Sequence, residues 1–261
     1  MKACQYFLVN AFTGVNAFGN QACVLFIDDL SDDSKLQAIA ANMNLPATSF
    51  LMPFDGGYKV RWFAPIAEIG LCGHGTIAAT WVLSRHLNKA NNHRFYYNTG
   101  TIDGYLTENG VAIKSDAIPY NQQPIPDHVI NGFSDQVEAY YGSGNKDIVV
   151  LPSDDLVKNL SPKWDVLKTS PTFGYVVTAS GLDTVDCVSR VILPHISILE
   201  DQATGSAHFL VAPYWAERLN KPTIEAYQAS GRGGVMTCRV ENNQVELEAE
   251  CTVFGSGQYL L

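Results

Sequence analysis

Glu68-Ile69-Gly70-Leu71-Cys72-Gly73-His74-Gly75-Thr76-Ile77-Ala78-Ala79-Thr80-Trp81 is the stretch around which this chain is organised. Three glycines fall in its positions 70–75, and an apolar helical pattern follows. A glycine turn that opens a helix exposes backbone N–H groups at the positive end of the helix dipole. Such a place holds a carboxylate or phosphate. A thiol (Cys72) and an imidazole (His74) sit in the turn itself. A second stretch of the same design is Glu200-Asp201-Gln202-Ala203-Thr204-Gly205-Ser206-Ala207-His208-Phe209-Leu210. Two such turns predict one site built from two halves.

The 261 residues allow one large domain or two of about 130 each. An apolar fraction of 46% and a charged fraction of 16% predict a globular protein with a sizeable core. A net charge of -9 argues against a nucleic-acid binder and against a strongly anionic polymer as substrate. A small anion held by local donors remains compatible. The six cysteines are scattered without a CxxC pair, so no zinc signature is present and no metal is expected. They predict reduced, buried thiols in a cytoplasmic protein. No run approaches the roughly 18 apolar residues of a membrane helix.

Along the chain, strands are expected at 4–10, 23–27, 49–52 and 58–63. A helix capped by Ser31 is expected before Pro46. The central turn and its helix run to about His86, and short strands follow to Ile113. That helix is apolar nearly all round, which predicts a helix wrapped by sheet. Residues 117–127 hold Pro119, Pro124 and Pro126 and are the best linker. The expected halves are therefore 1–117 and 118–261, with the last strand free to pack back across the boundary. The second half is expected to carry helices near 127–141, 153–159 and 206–219, strands at 147–151, 174–179 and 189–193, and β structure from 235 to 260. Leu87-Asn88-Lys89 and Leu219-Asn220-Lys221 each follow an apolar helix. A shift of 132 overlays Gly73 on Gly205, and a shift of 130 overlays Gly75 on Gly205. The second fits the turns better.

The chemistry-bearing residues of the two turns are Cys72, His74, Asp201, Thr204 and Ser206. An Asp or His of tuned pKa moves protons near neutral pH, and backbone donors at Gly73 and Gly205 can hold an oxyanion. This predicts proton abstraction beside an electron-withdrawing group, hence an isomerase, epimerase or racemase. Such chemistry needs no cofactor, and neither a Walker A lysine nor GxGxxG is present. Each residue also has a plain structural reading. Cys72 reads as a buried thiol, Asp201, Thr204 and Ser206 as helix caps, and His208 as a core residue.

Five ordered motifs extend this reading. They are Asn16-Ala17-Phe18-Gly19-Asn20-Gln21-Ala22-Cys23-Val24, Arg61-Trp62-Phe63-Ala64-Pro65, Leu71-Cys72-Gly73-His74-Gly75-Thr76, Asp201-Gln202-Ala203-Thr204-Gly205-Ser206-Ala207 and Gln228-Ala229-Ser230-Gly231-Arg232-Gly233-Gly234. Together they resemble the phenazine-biosynthesis isomerase-like family. The resemblance implies an α+β, diaminopimelate-epimerase-like fold of two pseudo-symmetric halves, each a barrel-like sheet around a central helix. It also implies a cleft between the halves and a homodimer.

Carried over residue by residue, the family's histidine matches His74 and its aspartate Asp201. The glycine donors match Gly73 and Gly205, and the polar contact matches Ser206. The proton-transferring glutamate falls at Ala47, which has no ionisable group. Related epimerases use two cysteines; Cys72 matches one, and the other falls at Gln202. The expectation is a cofactor-independent isomerase of a small carboxylate-bearing metabolite. Asp201 and His74 would be catalytic, and Cys72, Gly73, Gly75, Thr204, Gly205 and Ser206 would bind substrate. The alternative is a catalytically silent homologue that binds a small metabolite.

Overall fold

The computed structural model describes residues 3–261. In chain order come β1 (Ala3–Thr13), β2 (Asn20–Phe26), α1 (Asp33–Met43), β3 (Ala47–Phe54), β4 (Gly57–Phe63) and the two-residue β5 (Glu68–Ile69). The central helix α2 (Gly73–Trp81) continues into a π-helical turn (Val82–His86). Then follow β6 (Asn92–Tyr97), β7 (Gly100–Leu106), β8 (Val111–Asp116), β9 (Asn121–Gln123), α3 (Asp127–Gly132), β10 (Ala139–Gly142) and β11 (Lys146–Val150). Next are α4 (Asp154–Lys158), α5 (Trp164–Leu167), β12 (Gly174–Ser180), β13 (Cys187–Ile192) and the two-residue β14 (Glu200–Asp201). The chain ends with α6 (Gly205–Leu219), β15 (Thr223–Gln228), β16 (Gly234–Glu241) and β17 (Gln244–Leu260). These elements form two compact units. Unit one is Met1–Ser115 with Glu246–Leu261, and unit two is Asp116–Val245.

In unit one, hydrogen-bonded neighbours run β1-β2-β3-β4-β6-β7-β8-β17 and return to β1. The sheet is thereby closed and has no open edge, which removes unpaired backbone groups. Its inner face holds α2, every residue of which is buried from Gly73 to Thr80. The fit is close. A Cβ on Gly104 would lie 2.1 Å from Thr80 Oγ1, so β7 approaches the helix only as glycine. The outer face packs Cys23, Leu25, Phe50 and Phe63 on Leu36, Ile39 and Ala40 of α1. That helix is capped by Asp32, whose Oδ1 accepts from Lys35 N. The expected cap, Ser31, instead donates its own N–H to Asp29. Its neighbour stands one residue nearer the helix and so reaches the orphan N–H groups.

In unit two the order is β9-β10-β11-β12-β13-β15-β16. One face packs on α3, α4 and α5 through Val129, Phe133, Val157 and Leu167. The other packs on α6: Trp215 Nε1 donates to Thr178 Oγ1 at 2.9 Å, and His208 Nε2 lies 3.4 Å from Ser189 Oγ. Pro213 sits inside α6 and removes the donor that Phe209 O would have had. The N–H of Ile118 fills that position at 2.9 Å. The proline-rich segment is therefore docked rather than loose, and β9 within it pairs with β10.

The helix expected near 127–141 stops at Gly132. Beyond it, Ala139–Gly142 forms β10, because Tyr140 and Tyr141 complete a sheet between β9 and β11. The short helix α5 had no clear periodic signal.

The internal repeat is structural, but its offset is 132, not 130, at the turns. Gly73 and Gly205 are each the first helical residue, and Cys72 and Thr204 are the caps. Asn88 and Asn220, also 132 apart, both adopt the left-handed conformation, with φ of 48° and 50°. Each lets the next N–H turn back to the helix, Lys89 to Leu83 O and Lys221 to Ala216 O. Asn220→Ala is expected to destabilise the protein by about 1 kcal/mol, while Asn220→Gly is close to neutral. Urea denaturation of the two variants measures the difference.

Candidate functional site

Each glycine turn is held from three sides. In unit one, Arg61 on β4 grips Glu68 on β5 with two charge-assisted bonds, Nε to Oε1 at 2.8 Å and Nη2 to Oε2 at 2.7 Å. Its Nη1 also donates to Leu30 O and to Asp33, both near 2.8 Å. In unit two, Arg190 on β13 grips Glu200 on β14 in the same way, at 2.7 and 2.8 Å, and Nη1 donates to Leu160 O at 2.6 Å. Both glutamates stand five residues before the first helical glycine. Planar guanidinium–carboxylate pairing fixes orientation as well as distance. Glu68 and Glu200 are thus anchors of the turns rather than free charges at a helix dipole.

The turn of unit one is compact and buried. Cys72 caps α2, its Sγ accepting from Gly75 N at 3.4 Å. His74 Nδ1 lies 3.4 Å from the same sulfur, and His74 is only 8% exposed. Ser49 Oγ donates to Gly75 O at 3.1 Å. A Cβ on Gly75 would lie 2.7 Å from Ser49 Oγ and 2.8 Å from Trp62 Cδ1, so only glycine fits there. Cys72, Gly73, His74 and Gly75 are therefore brought together. Ala47 is fully buried at the start of β3, opposite Ala22. The position expected to hold a glutamate is a small apolar pair.

In unit two, Asp201 is not a helix cap. It belongs to β14, opposite Val191, and its Oδ2 accepts from the Thr204 hydroxyl at 2.6 Å. Thr204 stands at the cap position of α6, yet its side chain makes no cap bond because it serves Asp201. Gln228 holds the backbone of the same turn from β15. Its Oε1 accepts from Thr204 N at 2.8 Å, and its Nε2 donates to Asp201 O at 2.7 Å. Ser230 Oγ donates to Gln202 O at 2.5 Å, and Arg232 N donates to Gln202 Oε1 at 3.1 Å. The Gln228–Gly234 motif is thus the clamp of the Asp201 turn. Gly205 is buried, and Asp201 and Ser206 are half-buried.

His208 is a core residue, as expected. Its Nδ1–H donates to Thr204 O at 2.9 Å, which leaves Nε2 to accept from Ser189. Complete burial pushes its pKa down to about 4. All six cysteines are buried thiols. Burial alone pushes the Cys23 thiol up to about 12, and Cys187, Cys238 and Cys251 also rise. These four are inert at neutral pH. Two surface depressions of unit one, of about 440 and 620 Å³, lie on the outer face beside Lys59 and Tyr96 and beside α1. Neither is lined by Cys72, Gly73 or His74.

Sequence reading missed Arg61, Arg190 and Gln228 as site-building residues. The signal was available for the arginines, in the equal Glu-to-Gly spacing of the two turns. For Gln228 the signal was the motif it opens, but its role requires β15 to lie beside β13. Among the described residues no helix is long and apolar enough to cross a membrane.

The chain belongs to the phenazine biosynthesis-like protein family, PhzC-PhzF, which it matches over residues 9–260. It is 33% identical over 268 residues to an uncharacterised isomerase of Halalkalibacterium halodurans, with all of both chains covered. A solved PhzF-family structure from Enterococcus faecalis superposes with a TM-score of 0.93 at 33% identity, again covering all of both chains. A probable proline racemase of Agrobacterium radiobacter K84 shares the fold, with a TM-score of 0.59 at 10% identity and coverage of 99% of this chain and 93% of the other. The fold is the one the motifs implied: mixed α+β, with barrel-like sheet around a central helix.

Two measurements check these pins. Arg190→Ala leaves Glu200 half-buried without its partner and is expected to cost about 2–3 kcal/mol in urea unfolding. His208 is harder to protonate when folded than when unfolded, where its pKa is near the ordinary 6.5. The unfolded chain therefore binds more protons between pH 6.5 and 4, and stability falls as pH falls through that window. The loss is on the order of 3 kcal/mol, and His208→Gln is expected to flatten the pH dependence.

Proposed function

We propose that the protein is a cofactor-independent isomerase that moves a proton within a small carboxylate-bearing metabolite. The observation that carries this reading is the Asp201 carboxylate, held by the Thr204 hydroxyl on a turn clamped by Gln228. A carboxylate fixed on a rigid element beside a helix start has the two parts a proton transfer needs: a base, and donors for the negative charge that develops. Asp201 takes a proton from the carbon next to the electron-withdrawing group and returns it at another carbon. The Gly205 amide, with Ser206, holds the oxyanion formed between the two steps. In unit one the Gly73 amide offers the same kind of donor, the Gly75 N–H being taken by Cys72 Sγ, and His74, steadied by Cys72, positions substrate or shares the proton. The isomerase names of full-length relatives support the reaction class. The same reading takes the protein as a cytoplasmic homodimer, on its buried thiols and its family.

A second reading is favoured by Ala47. Its methyl group cannot carry a proton, and its strand partner is Ala22. A protein that binds the metabolite without converting it would keep both turns and lose this one carboxylate.

Incubating small unsaturated and α-amino carboxylates with the protein in D₂O separates the two. The isomerase reading expects solvent deuterium in recovered substrate. Asp201→Asn is expected to slow incorporation by about 10²–10⁴-fold, and His74→Ala to lower it as well. A bound carboxylate that gains no deuterium would leave the binder.

A further inference from the structure

The inner face of the second sheet carries a cation that neither the motifs nor the family reading uses. Residues opposite one another across a ladder share a face, as does every second residue along a strand. Asp201 is opposite Val191, Val191 opposite Val176, and Val176 opposite Ile148. Thr178 and Ser189, on this same face, bond to Trp215 and His208 of α6. The face is thus the one that lies on the central helix. Lys146 is two residues before Ile148, so it shares the face with Asp201.

The residue beside Lys146 on the next strand is Gly174. A Cβ there would lie 3.4 Å from Lys146 Cγ and 2.7 Å from Leu193 Cδ2. The lack of a side chain opens the sheet surface to the lysine stem. At its end, Nζ donates to Asn145 Oδ1 at 3.0 Å and stands 5.7 Å from the Phe173 ring. Asp201 acts on Nζ electrostatically but forms no ion pair with it. Lys158 and Lys221, in contrast, are each paired with an aspartate at 2.6 Å. Burial pulls the Lys146 ammonium below the ordinary lysine range, against the opposing pull of Asp201. An ammonium has three donors, and among the described residues Lys146 gives one of them to a neutral acceptor, Asn145, and none to a carboxylate.

The repeat sharpens the point. Arg190 and Glu200 match Arg61 and Glu68, so Val191 matches Trp62 and Val176 matches Ser49. Gly174 then matches Ala47, and Lys146 matches Ala22. Where unit one has two methyl groups, unit two has a lysine laid over a glycine.

We propose that Lys146 is a substrate-binding residue, whose ammonium takes the carboxylate of the small metabolite and holds it beside Asp201. This rests on the reading of Asp201 as part of the site. It needs no change of fold, since the stem already lies along the inner face.

Calorimetric titration with malonate, and with malonamide as its uncharged counterpart, tests the assignment. Wild type is expected to bind malonate and not malonamide. Lys146→Met is expected to weaken malonate binding by about 10–100-fold, while Lys146→Arg keeps it within a few-fold. Equal binding by wild type and Lys146→Met, equal binding of malonate and malonamide, or no binding to wild type overturns the proposal. A readout on the unmutated protein stands beside it. Reductive methylation with ¹³C-formaldehyde is expected to slow at Lys146 in malonate and not at exposed Lys163; equal slowing or none overturns the assignment. Malonate binding through Lys146 with no deuterium exchange in any carboxylate would remove the isomerase reading and keep this site. Exchange with an unchanged KM in Lys146→Met would do the reverse.

Discussion

A helix buried at its start must satisfy its first N–H groups without water. Both central helices here, α2 and α6, begin buried, and the surrounding structure is arranged to meet that constraint. In unit one a thiol caps the helix, and a serine from β3 takes the carbonyl of the turn. In unit two the hydroxyl of the cap threonine goes to Asp201, and a glutamine from β15 accepts from the N–H of the cap residue itself. In both, a bidentate arginine–glutamate pair fastens the short strand that feeds the turn. Neither pair is fully buried, with arginines 14% and 12% exposed, so desolvation is moderate and the geometric gain dominates.

The same arrangement frees side chains for chemistry. A conventional cap would have held Thr204 on the helix and left Asp201 without its hydroxyl. The Thr204 hydroxyl goes instead to Asp201 Oδ2 and gives that carboxylate a defined orientation. On this side Lys146 adds positive charge. In unit one the matching positions are the two alanines Ala47 and Ala22. The two units share one plan of strands, pinned turn and helix, yet differ in polar content. The isomerase reading therefore leans on unit two.

The five motifs were legible because each is local. Glycines mark where backbone must come close, as at Gly75, and the apolar run marks the helix that the sheet will wrap. The repeat was legible in part. Leu-Asn-Lys ends both helices because asparagine tolerates the left-handed turn that follows, but counting glycines put the turns two residues out of register. The helix near 127–141 was overcalled, since the apolar spacing past Gly132 serves a strand that exists only beside β9 and β11. Lys146 was invisible, because its neighbour Gly174 is 28 residues away and meets it only through a parallel pairing.

By itself the sequence determined the family, the apolar central helices and their glycine turns. These follow from residue type and short spacing, which backbone sterics and periodicity translate directly into local structure. Tertiary structure alone decided that Arg61 and Arg190 pin the turns, that Gln228 clamps the backbone of the Asp201 turn, and that Lys146 shares a face with Asp201. Each depends on which strands lie side by side, and strand order is set by burial of whole faces rather than by neighbours in the chain.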